Sequence, residues 1–541
     1  MKRILIYDTT LRDGAQSEGV SFSVSDKINI SRKLDELGVH YIEGGWPGSN
    51  PKDIEFFRRA KEIGLKHAKL AAFGSTCRKD VRASSDKNLL ALIESCTPVV
   101  TIFGKSWGLH VEYALRTTMA KNLEMIYESV KFLKSKRREV IYDAEHFFDG
   151  WKSDKEYALK TVQAAQDAGA DFIALADTNG GMLPFEIEEV VREVMKKLNV
   201  PVGIHAHNDS DTAVANSLAA VRAGATMVQG TIGGLGERTG NANLCSVIPD
   251  LEFKMNVRTV PKKSIARLTE TCHYILEVAN IAPQNNMPYV GRSAFAHKGG
   301  VHVSAVERHP KTYEHIQPEL VGSRRRILAS ELSGRSNILS KAREFHIDFT
   351  KKNEIIGGLL KQLKEMEGEG YQFEGADASL ELMMRRADGS LKEYFELIGF
   401  SVTTRREKAG PMTSEATMRL VVNGREERTT APGDGPVNAL DNALRLALER
   451  FYPQLKEMTL SDFKVRVIDS GRGTASKVRV IIESSDKKKS WSTVGVSENI
   501  IEASWQALVD SVAYKLSTTE RARPAEKSGE VNEKRKGKKR Y

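Results

Sequence analysis

Two histidines with one residue between them, His205 and His207, end a short apolar run at 200–204 that predicts a buried strand. Side chains two residues apart on a strand point to the same side, so both imidazoles are expected to face one place. Two imidazole nitrogens, joined by oxygen ligands from elsewhere in the chain, are suited to a divalent metal ion. The pair alone is also compatible with two core histidines whose hydrogen bonds are satisfied. The rest of the sequence has to distinguish a metal site from this alternative.

Polar segments also follow six other predicted strands, which favours the metal interpretation. Asp13 offers an anionic oxygen and Asn241 a neutral carbonyl oxygen. With the two histidines they form a mixed nitrogen and oxygen set that suits Mn²⁺, Mg²⁺ or Zn²⁺ and leaves positions open for a chelating substrate. The six segments are 8–14, 43–48, 105–107, 143–146, 177–181 and 233–241.

A 2-keto acid is the substrate class that fits such a metal, because its ketone and carboxylate oxygens can both reach one ion. Arg12 is expected to pair with the developing alkoxide or with the carboxylate. The alternative for Arg12 is a buried structural ion pair with Asp8 or Glu43. Thr178 is a candidate hydrogen-bond donor to the keto acid, and Glu145 a candidate general base or orienting group.

The elements that must position these residues are eight strands, each followed by a helical pattern, within the first 256 residues. This alternation predicts an α/β fold, a (β/α)8 barrel, in which active sites lie on the loops after the C-terminal strand ends. The strands are predicted at 4–7, 39–44, 68–73, 99–103, 140–143, 172–176, 202–205 and 226–231. We therefore assign residues 1–260 to a catalytic barrel.

The remainder of the chain predicts a mostly helical linker region at 261–393 and an α+β domain at 394–516. The domain contains a duplicated ββα unit, at 416–446 and 477–508, and such internal symmetry suits regulation or dimerisation. Glycine-containing turns at Gly435 and Gly495 are expected to lead into a helix in both copies. Such turns either receive a carboxylate or only make a tight connection.

Charge and composition exclude several classes of protein. Six of the ten net positive charges lie in residues 521–541, so the nearly neutral body does not predict nucleic-acid binding. Residues 517–541 predict a disordered basic tail. No apolar run is long enough to span a bilayer, and four scattered cysteines favour a reducing, cytoplasmic location.

Three ordered motifs resemble the signatures of the 2-isopropylmalate synthase, homocitrate synthase and citramalate synthase family. They are Asp-Thr-Thr-Leu-Arg-Asp-Gly-Ala-Gln at 8–16, His-Ala-His-Asn-Asp at 205–209 and Gly-Glu-Arg-Thr-Gly-Asn-Ala-Asn-Leu at 236–244. The resemblance implies condensation of acetyl-CoA with a 2-keto acid, followed by hydrolysis of the thioester. It implies Asp13, His205, His207 and Asn241 as metal ligands, and Arg12, Glu145, His302 and Tyr313 as catalytic residues.

Within the family, segments 43–53, 104–107 and 143–150 are similar to the branch that uses pyruvate. The bulky Trp46, Phe73 and Trp107 would then narrow the pocket to a methyl group, or else they only pack under the loops. The alternatives are 2-oxoisovalerate as substrate, the reverse lyase chemistry, and a metabolite sensor without catalysis. The resemblance also implies a homodimer inhibited by an end-product amino acid, which is isoleucine for a pyruvate-using enzyme.

Overall fold

The computed structural model describes residues 3–60, 63–330, 333–349, 352–408, 410–468, 473 and 475–521. They form two compact units. The first comprises the described residues up to Ala296 together with Glu314–Arg326, and the second comprises His297–Tyr313 and the described residues from Ile327 onward. Among these residues, no helix is both long and apolar enough to cross a membrane.

The first unit is a closed barrel of eight parallel strands in sequence order, which confirms the predicted (β/α)8 fold. Every observed strand overlaps its predicted range, and β3, β4 and β5 extend two residues further toward the rim than expected. The strands are β1 (Leu5–Asp8), β2 (Tyr41–Glu43), β3 (Lys69–Ser75), β4 (Val99–Lys105), β5 (Glu139–Glu145), β6 (Phe172–Asp177), β7 (Val202–Ala206) and β8 (Met227–Gly230).

Helices of the first unit surround the barrel and take their limits from local capping residues. Ser23 and Asp26 form a reciprocal capping box at the start of α1, and Gly38 ends that helix in the left-handed region at φ 88°. The helices are α1 (Val24–Leu37), α2 (Pro51–Ala60), α3 (Lys87–Glu94), α4 (Gly108–Tyr113), α5 (Met119–Ser135), α6 (Phe147–Ser153), α7 (Lys155–Asp167), α8 (Pro184–Met195), α9 (Ala213–Ala223), α10 (Leu244–Pro249) and α11 (Leu268–Val278).

The interior of the barrel is packed with side chains and is not an open channel. Tyr7, Tyr41 and Met227 are among the residues of this inner cluster, and all three are buried. A second, larger core lies between the strands and the helices, and it includes residues of α11. The first unit therefore continues past residue 260, the predicted end of the barrel, because α11 packs against α1.

The second unit contains a small apolar core formed mainly by three of its helices. Phe345, Leu359 and Leu380 are buried in this core. The predicted linker region is therefore mostly helical, but parts of it belong to each unit. The helices are α12 (Gly300–Arg308) and the three that form this core, α13 (Arg335–Glu344), α14 (Asn353–Gly368) and α15 (Asp377–Asp388). The two-residue strands β9 (Ala296–His297) and β10 (Arg326–Ile327) lie where the chain passes between the units.

The predicted duplication is present, and each copy has one strand more than the expected ββα unit. Both copies are three-stranded antiparallel sheets followed by a helix. The first strand of each copy lies at a sheet edge and is largely exposed, so its sequence lacks the apolar alternation that predicts strands. The elements are β11 (Glu396–Arg405), β12 (Thr413–Val422), β13 (Arg425–Gly433), α16 (Pro436–Leu448), β14 (Thr459–Val467), β15 (Val478–Ser485), β16 (Ser490–Ser497) and α17 (Ile500–Arg521).

The prediction that Gly435 and Gly495 both lie in turns that lead into a helix is correct for Gly435 and wrong for Gly495. Gly435 directly precedes α16, but Gly495 lies within β16. A β-carbon at Gly433 would lie 2.3 Å from the backbone nitrogen of Ala439, and one at Gly495 would lie 2.0 Å from the carbonyl oxygen of Ala503. Both glycines therefore allow a helix to approach its own sheet closely, so Gly495 serves packing and not a turn.

The C-terminal helix is longer than the sequence pattern indicated. Helix α17 continues to Arg521, so the first five residues of the predicted tail, 517–521, are helical. They remain ordered because Leu516 and Ser517 are buried and Glu520 accepts a hydrogen bond from Tyr394. The rest of that predicted tail, 522–541, lies outside the described residues.

Candidate active site

The structure brings Asp13, His205 and His207 together at the C-terminal rim of the barrel, as predicted. The two histidine Nε2 atoms lie 3.3 Å apart. Oδ2 of Asp13 is 3.8 Å from Nε2 of His205 and 3.9 Å from Nε2 of His207. All three residues are buried, and one atom from each lies within 4.8 Å of the others, so the three could hold one metal ion.

Asn241 is the fourth predicted ligand, and it contacts the same carboxylate. Its Nδ2 donates a 2.8 Å hydrogen bond to Oδ1 of Asp13. Its Oδ1 is buried and makes no hydrogen bond within the described part of the chain, which is unusual for a buried polar atom. An unpaired amide oxygen beside three convergent ligands fits a divalent metal. The ligand role of Asn241 itself stays a prediction.

A hydrogen-bond chain behind His205 sets which ring nitrogen faces the rim. Nδ1 of His205 lies 3.0 Å from Oε1 of Gln229, whose Nε2 donates to Oδ1 of Asp143 at 2.9 Å. Since Oε1 of Gln229 can only accept, Nδ1 of His205 carries the proton and Nε2 keeps its lone pair. Outer partners of this kind orient metal-binding histidines. Gln229 was not among the predicted site residues, although a glutamine in an apolar strand signals a buried partner.

Electrostatics favour the protonation state that binds metal. Burial lowers the pKa of His207 to about 3, and the neighbouring His205 adds to the effect. Burial also lowers the pKa of His205, although Asp13 opposes it. For Asp13, burial opposes the charge, but Arg12 and the two histidines outweigh it and hold the pKa of the carboxyl below its ordinary range. Neutral imidazoles and an ionised carboxylate are the metal-binding forms.

Arg12 lies between the cluster of Asp13, His205 and His207 and a second, fully buried carboxylate, that of Glu43. Its Nε donates to Oε1 of Glu43 at 2.5 Å, and its Nη1 donates to Oδ2 of Asp13 at 2.8 Å. The alternative ion pair with Glu43 therefore exists, and it positions the guanidinium next to the ligand cluster. Within the described residues, Nη2 makes no hydrogen bond, so that nitrogen remains for a substrate oxygen.

Three aromatic rings from neighbouring strand ends lie beside Arg12. We call Trp46, Phe73 and Phe103 the aromatic wall. The guanidinium carbon of Arg12 is 3.8 Å from the centroid of the Phe73 ring. Phe73 stacks on Phe103 at 5.5 Å, and the Trp46 ring meets both of them edge to face. Phe103 was not among the predicted pocket residues, and its contact with Phe73 and Trp46 depends on the alignment of neighbouring strands.

Glu145, the last residue of β5, forms an ion pair with Lys105, the last residue of β4. The two residues are direct neighbours in the parallel register, and both side chains are largely buried. Lys105 was part of a noted motif, but its partner could not be inferred before the strands were aligned. The general-base or orienting role of Glu145 stays a prediction, with a cation now placed beside it.

Thr178 follows β6 and lies next to the end of β5. Its Oγ1 accepts a 2.8 Å hydrogen bond from the backbone nitrogen of His146, so its hydroxyl proton remains for another acceptor. His146 adopts the left-handed region at φ 56°, an uncommon conformation that is often found at functional sites. Trp107 does not join the aromatic wall, because its ring stacks on His110.

His302 and Tyr313 belong to the second unit. Their rings stack on each other with centroids 4.0 Å apart, and both side chains are exposed. The catalytic role that the family resemblance implies for them stays a prediction.

Comparison with known proteins divides the chain into three matched regions. Residues 3–272 match the HMGL-like family. Residues 289–370 match the family described as homocitrate synthase post-HMGL domain-like, and residues 374–516 match the LeuA allosteric (dimerisation) domain. The site residues on the barrel therefore lie in the first region, and the duplicated sheets lie in the third.

Individual relatives match over nearly the whole chain. An (R)-citramalate synthase of Geobacter sulfurreducens is 57% identical over 522 residues, which cover 96% of this chain and 99% of that protein. An (R)-citramalate synthase of Aquifex aeolicus gives the same identity and coverage. A probable 2-isopropylmalate synthase of Methanopyrus kandleri is 34% identical over 521 residues, which cover 94% of this chain and 98% of that protein.

The first prediction concerns metal binding. Changing His207 to alanine removes one of three convergent ligands, so we expect the purified variant to lose bound metal on dialysis while its melting temperature stays near that of the metal-free wild type. Metal content by mass spectrometry and thermal unfolding are the measurements. His67→Ala, at an exposed histidine of the same unit, is the control and should keep the metal. Wild-type metal content in His207→Ala would contradict the assignment.

The second prediction concerns the planar fork of Arg12. A lysine keeps a positive charge but cannot donate to Glu43 and Asp13 in the same geometry. We expect Arg12→Lys to fold and to lose about 10²–10³ in turnover rate, the usual effect of removing one electrostatic stabiliser.

The matched control for that variant is Arg138→Lys, because Arg138 also makes two hydrogen bonds through its guanidinium, to backbone oxygens of Thr97 and Ile93. We expect this control to keep its turnover rate. An Arg12→Lys enzyme within about threefold of the wild-type rate would show that Arg12 only supports the fold, since loss of a catalytic donor has a larger effect.

Proposed function

We infer that this chain, which belongs to the family of the (R)-citramalate synthases and 2-isopropylmalate synthases, condenses acetyl-CoA with pyruvate and hydrolyses the thioester to give (R)-citramalate and free CoA. A carbon–carbon bond forms between the methyl carbon of the acetyl group and the ketone carbon of pyruvate. Water then cleaves the thioester and releases the thiol. The enzyme acts in isoleucine biosynthesis.

The observation that carries this proposal is the difference in identity between the two kinds of relative. Those named (R)-citramalate synthase reach 57% identity over 96% of the chain, and a probable 2-isopropylmalate synthase reaches 34% over 94%. The alternative, condensation with 2-oxoisovalerate in leucine biosynthesis, is therefore less well supported.

The rim supplies ligands for the metal and donors for the keto acid. Asp13, His205 and His207 would hold the divalent ion, which is Mn²⁺, Mg²⁺ or Zn²⁺, and Asn241 would add its unpaired amide oxygen. When bound, such an ion would supply Lewis-acid polarisation of the ketone. Arg12 donates from Nη2 to the oxygen that gains negative charge.

Two further residues act on the carboxylate of the keto acid and on the acetyl group. Thr178 donates its hydroxyl proton to the carboxylate, since its oxygen already accepts a hydrogen bond from the backbone of His146. Glu145 pairs with Lys105 and serves as the base or as the group that orients the acetyl methyl.

The aromatic wall accounts for the preference for a small keto acid. Phe73 lies directly against the guanidinium of Arg12, and Trp46 and Phe103 pack on Phe73. Rigid rings beside the group that binds the ketone leave little room for branches on the neighbouring carbon. One additional methylene in such a pocket changes the discrimination by about 1–3 kcal/mol.

The duplicated domain is the regulatory and dimerising part of the enzyme. Its match to the LeuA allosteric (dimerisation) domain supports a homodimer whose C-terminal domains bind isoleucine as a feedback inhibitor. The four cysteines, all within the described residues, are free thiols, and this is consistent with a reducing cytoplasm.

The third prediction tests the reaction and its substrate. Purified enzyme with a divalent metal and acetyl-CoA should release free thiol when pyruvate is added, and chiral chromatography should identify (R)-citramalate. We expect a higher kcat/KM for pyruvate than for 2-oxoisovalerate at equal acetyl-CoA. Enzyme without keto acid is the control for simple thioester hydrolysis. A preference for 2-oxoisovalerate would favour the alternative, and no thiol release with either acid would contradict the synthase.

The fourth prediction tests regulation in the intact chain. Isoleucine should inhibit at saturating acetyl-CoA and change the apparent affinity for pyruvate by about 5–150-fold, the usual range of allosteric coupling. It should also raise the melting temperature, because a ligand that binds only the folded state stabilises it. Leucine is the matched control.

A chain that ends at Glu393 gives a second measurement. It should lose the response to isoleucine and part of its rate, since α15 packs against α17 in the intact enzyme. Full isoleucine inhibition after truncation, or an intact enzyme indifferent to both amino acids, would show that the domain only joins subunits.

A further inference from the structure

Asn88 lies near the start of α3 and reaches the aromatic wall through Trp46. Its Oδ1 accepts a 2.6 Å hydrogen bond from the indole Nε1 of Trp46, and its Nδ2 donates to the carbonyl oxygen of Ser75 at 2.7 Å. An indole N–H can only donate and a carbonyl can only accept, so the orientation of the amide is determined by its partners. Asp86 caps the helix by accepting from the backbone nitrogen of Asn88 at 2.9 Å.

Two glycines make room for this amide. A β-carbon at Gly48 would lie 2.8 Å from Oδ1 of Asn88, and a β-carbon at Gly74 would lie 2.9 Å from the same atom. Both distances are too short for a real contact. The loop after β2 and the strand β3 therefore lack side chains where the amide of Asn88 needs to fit between them.

The backbone of Trp46 is held independently. Its nitrogen donates a 2.8 Å hydrogen bond to Oδ2 of Asp53, which pairs with Nζ of Lys27 at 2.5 Å in a buried ion pair. Nζ of Lys27 also donates to the carbonyl oxygen of Gly44 at 2.9 Å. The Lys27–Asp53 ion pair therefore fixes the backbone of Trp46. The hydrogen bond that Asn88 accepts from Nε1 fixes the direction of the indole ring.

The direction of the indole ring determines the position of the aromatic wall, because the other two rings pack against it. The Trp46 ring meets Phe73 at 5.8 Å and Phe103 at 5.5 Å, both nearly perpendicular. Phe73 in turn lies against the guanidinium of Arg12. A change in the indole would therefore move the surface beside the group that binds the ketone.

We propose that Asn88 is a specificity-determining positioning residue, which sets the width of the keto-acid pocket by holding the indole of Trp46 without contacting the substrate itself. The inference rests on the proposed function, because it concerns the pocket of that reaction. Without the amide oxygen, the indole N–H loses its acceptor and the ring is free to turn, so keto acids with longer side chains gain access.

The experiment compares kcat/KM for pyruvate, 2-oxobutanoate and 2-oxoisovalerate in the holoenzyme. Asn88→Leu keeps the branched arrangement of heavy atoms in the side chain and removes both of its hydrogen bonds. We expect its ratio of 2-oxobutanoate to pyruvate to rise about tenfold, at the lower end of the range for discrimination of one methylene. Trp46→Phe removes the indole N–H by a separate route and should shift the ratio in the same direction, so the test does not depend on the folding of one variant.

A double-mutant cycle separates positioning from general damage. If Asn88 acts through the indole, Asn88→Leu should add nothing to the ratio in the Trp46→Phe background. The matched control is Gln166→Leu, which removes an amide that accepts from the backbone nitrogens of Asn199 and Val200 elsewhere on the barrel. It should leave the ratio unchanged.

The outcomes distinguish the two proposals. Wild-type turnover of pyruvate together with an unchanged ratio in Asn88→Leu and Trp46→Phe would overturn this inference and leave the proposed function intact. Additive shifts in the cycle would also overturn it, because Asn88 would then act by another route. No thiol release by the wild type with any of the three acids would overturn the proposed function, and the inference with it.

Discussion

A carboxylate with no exposed surface, Glu43, has to be stabilised inside the barrel, and the arrangement of the rim depends on how this is done. Burying an ionised group is unfavourable unless donors and an opposite charge surround it. Tyr7 and Thr9 donate to it through their hydroxyls, and Arg12 donates through Nε and supplies the positive charge. Removing one partner of such a pair typically destabilises a protein by about 3–5 kcal/mol. The position of Arg12 is thus tied to the stability of the fold.

Fixed in this way, Arg12 links two parts of the site that differ in chemistry. On one side its Nη1 holds Asp13, which faces the two histidines. On another side its planar face lies on Phe73 of the aromatic wall. In the proposed reaction, the polar part would bind the reacting groups and the apolar part would limit the size of the keto acid. Asp13 and Phe73 both contact the guanidinium of Arg12. This shared contact explains why a site that is spread over several strands can keep one geometry.

The second unit is stabilised differently, because two copies of one sheet-and-helix unit share a single apolar core. Residues from both copies contribute to one apolar cluster, and the helices of the two copies contact each other within it. Gly433 and Gly495 occupy corresponding places and bring each helix onto its sheet. Two edge strands, β11 and β14, remain largely exposed. Exposed sheet edges are open to pairing or covering by another chain, which agrees with a dimerising role.

The sequence by itself determined the barrel, the duplication and the ligand cluster of Asp13, His205 and His207. These follow from local patterns, since strand periodicity sends alternate residues to one side and parallel strands end on one rim. The sequence did not determine the exposed edge strands, the role of Gly495 or the extent of α17. Exposed or closely packed segments do not show a periodic pattern of apolar residues. The pairing of Lys105 with Glu145 and the contact of Asn88 with Trp46 were decided by tertiary structure alone. Each joins residues that are 40 or more positions apart in the sequence, and only the folded barrel brings them within hydrogen-bonding distance.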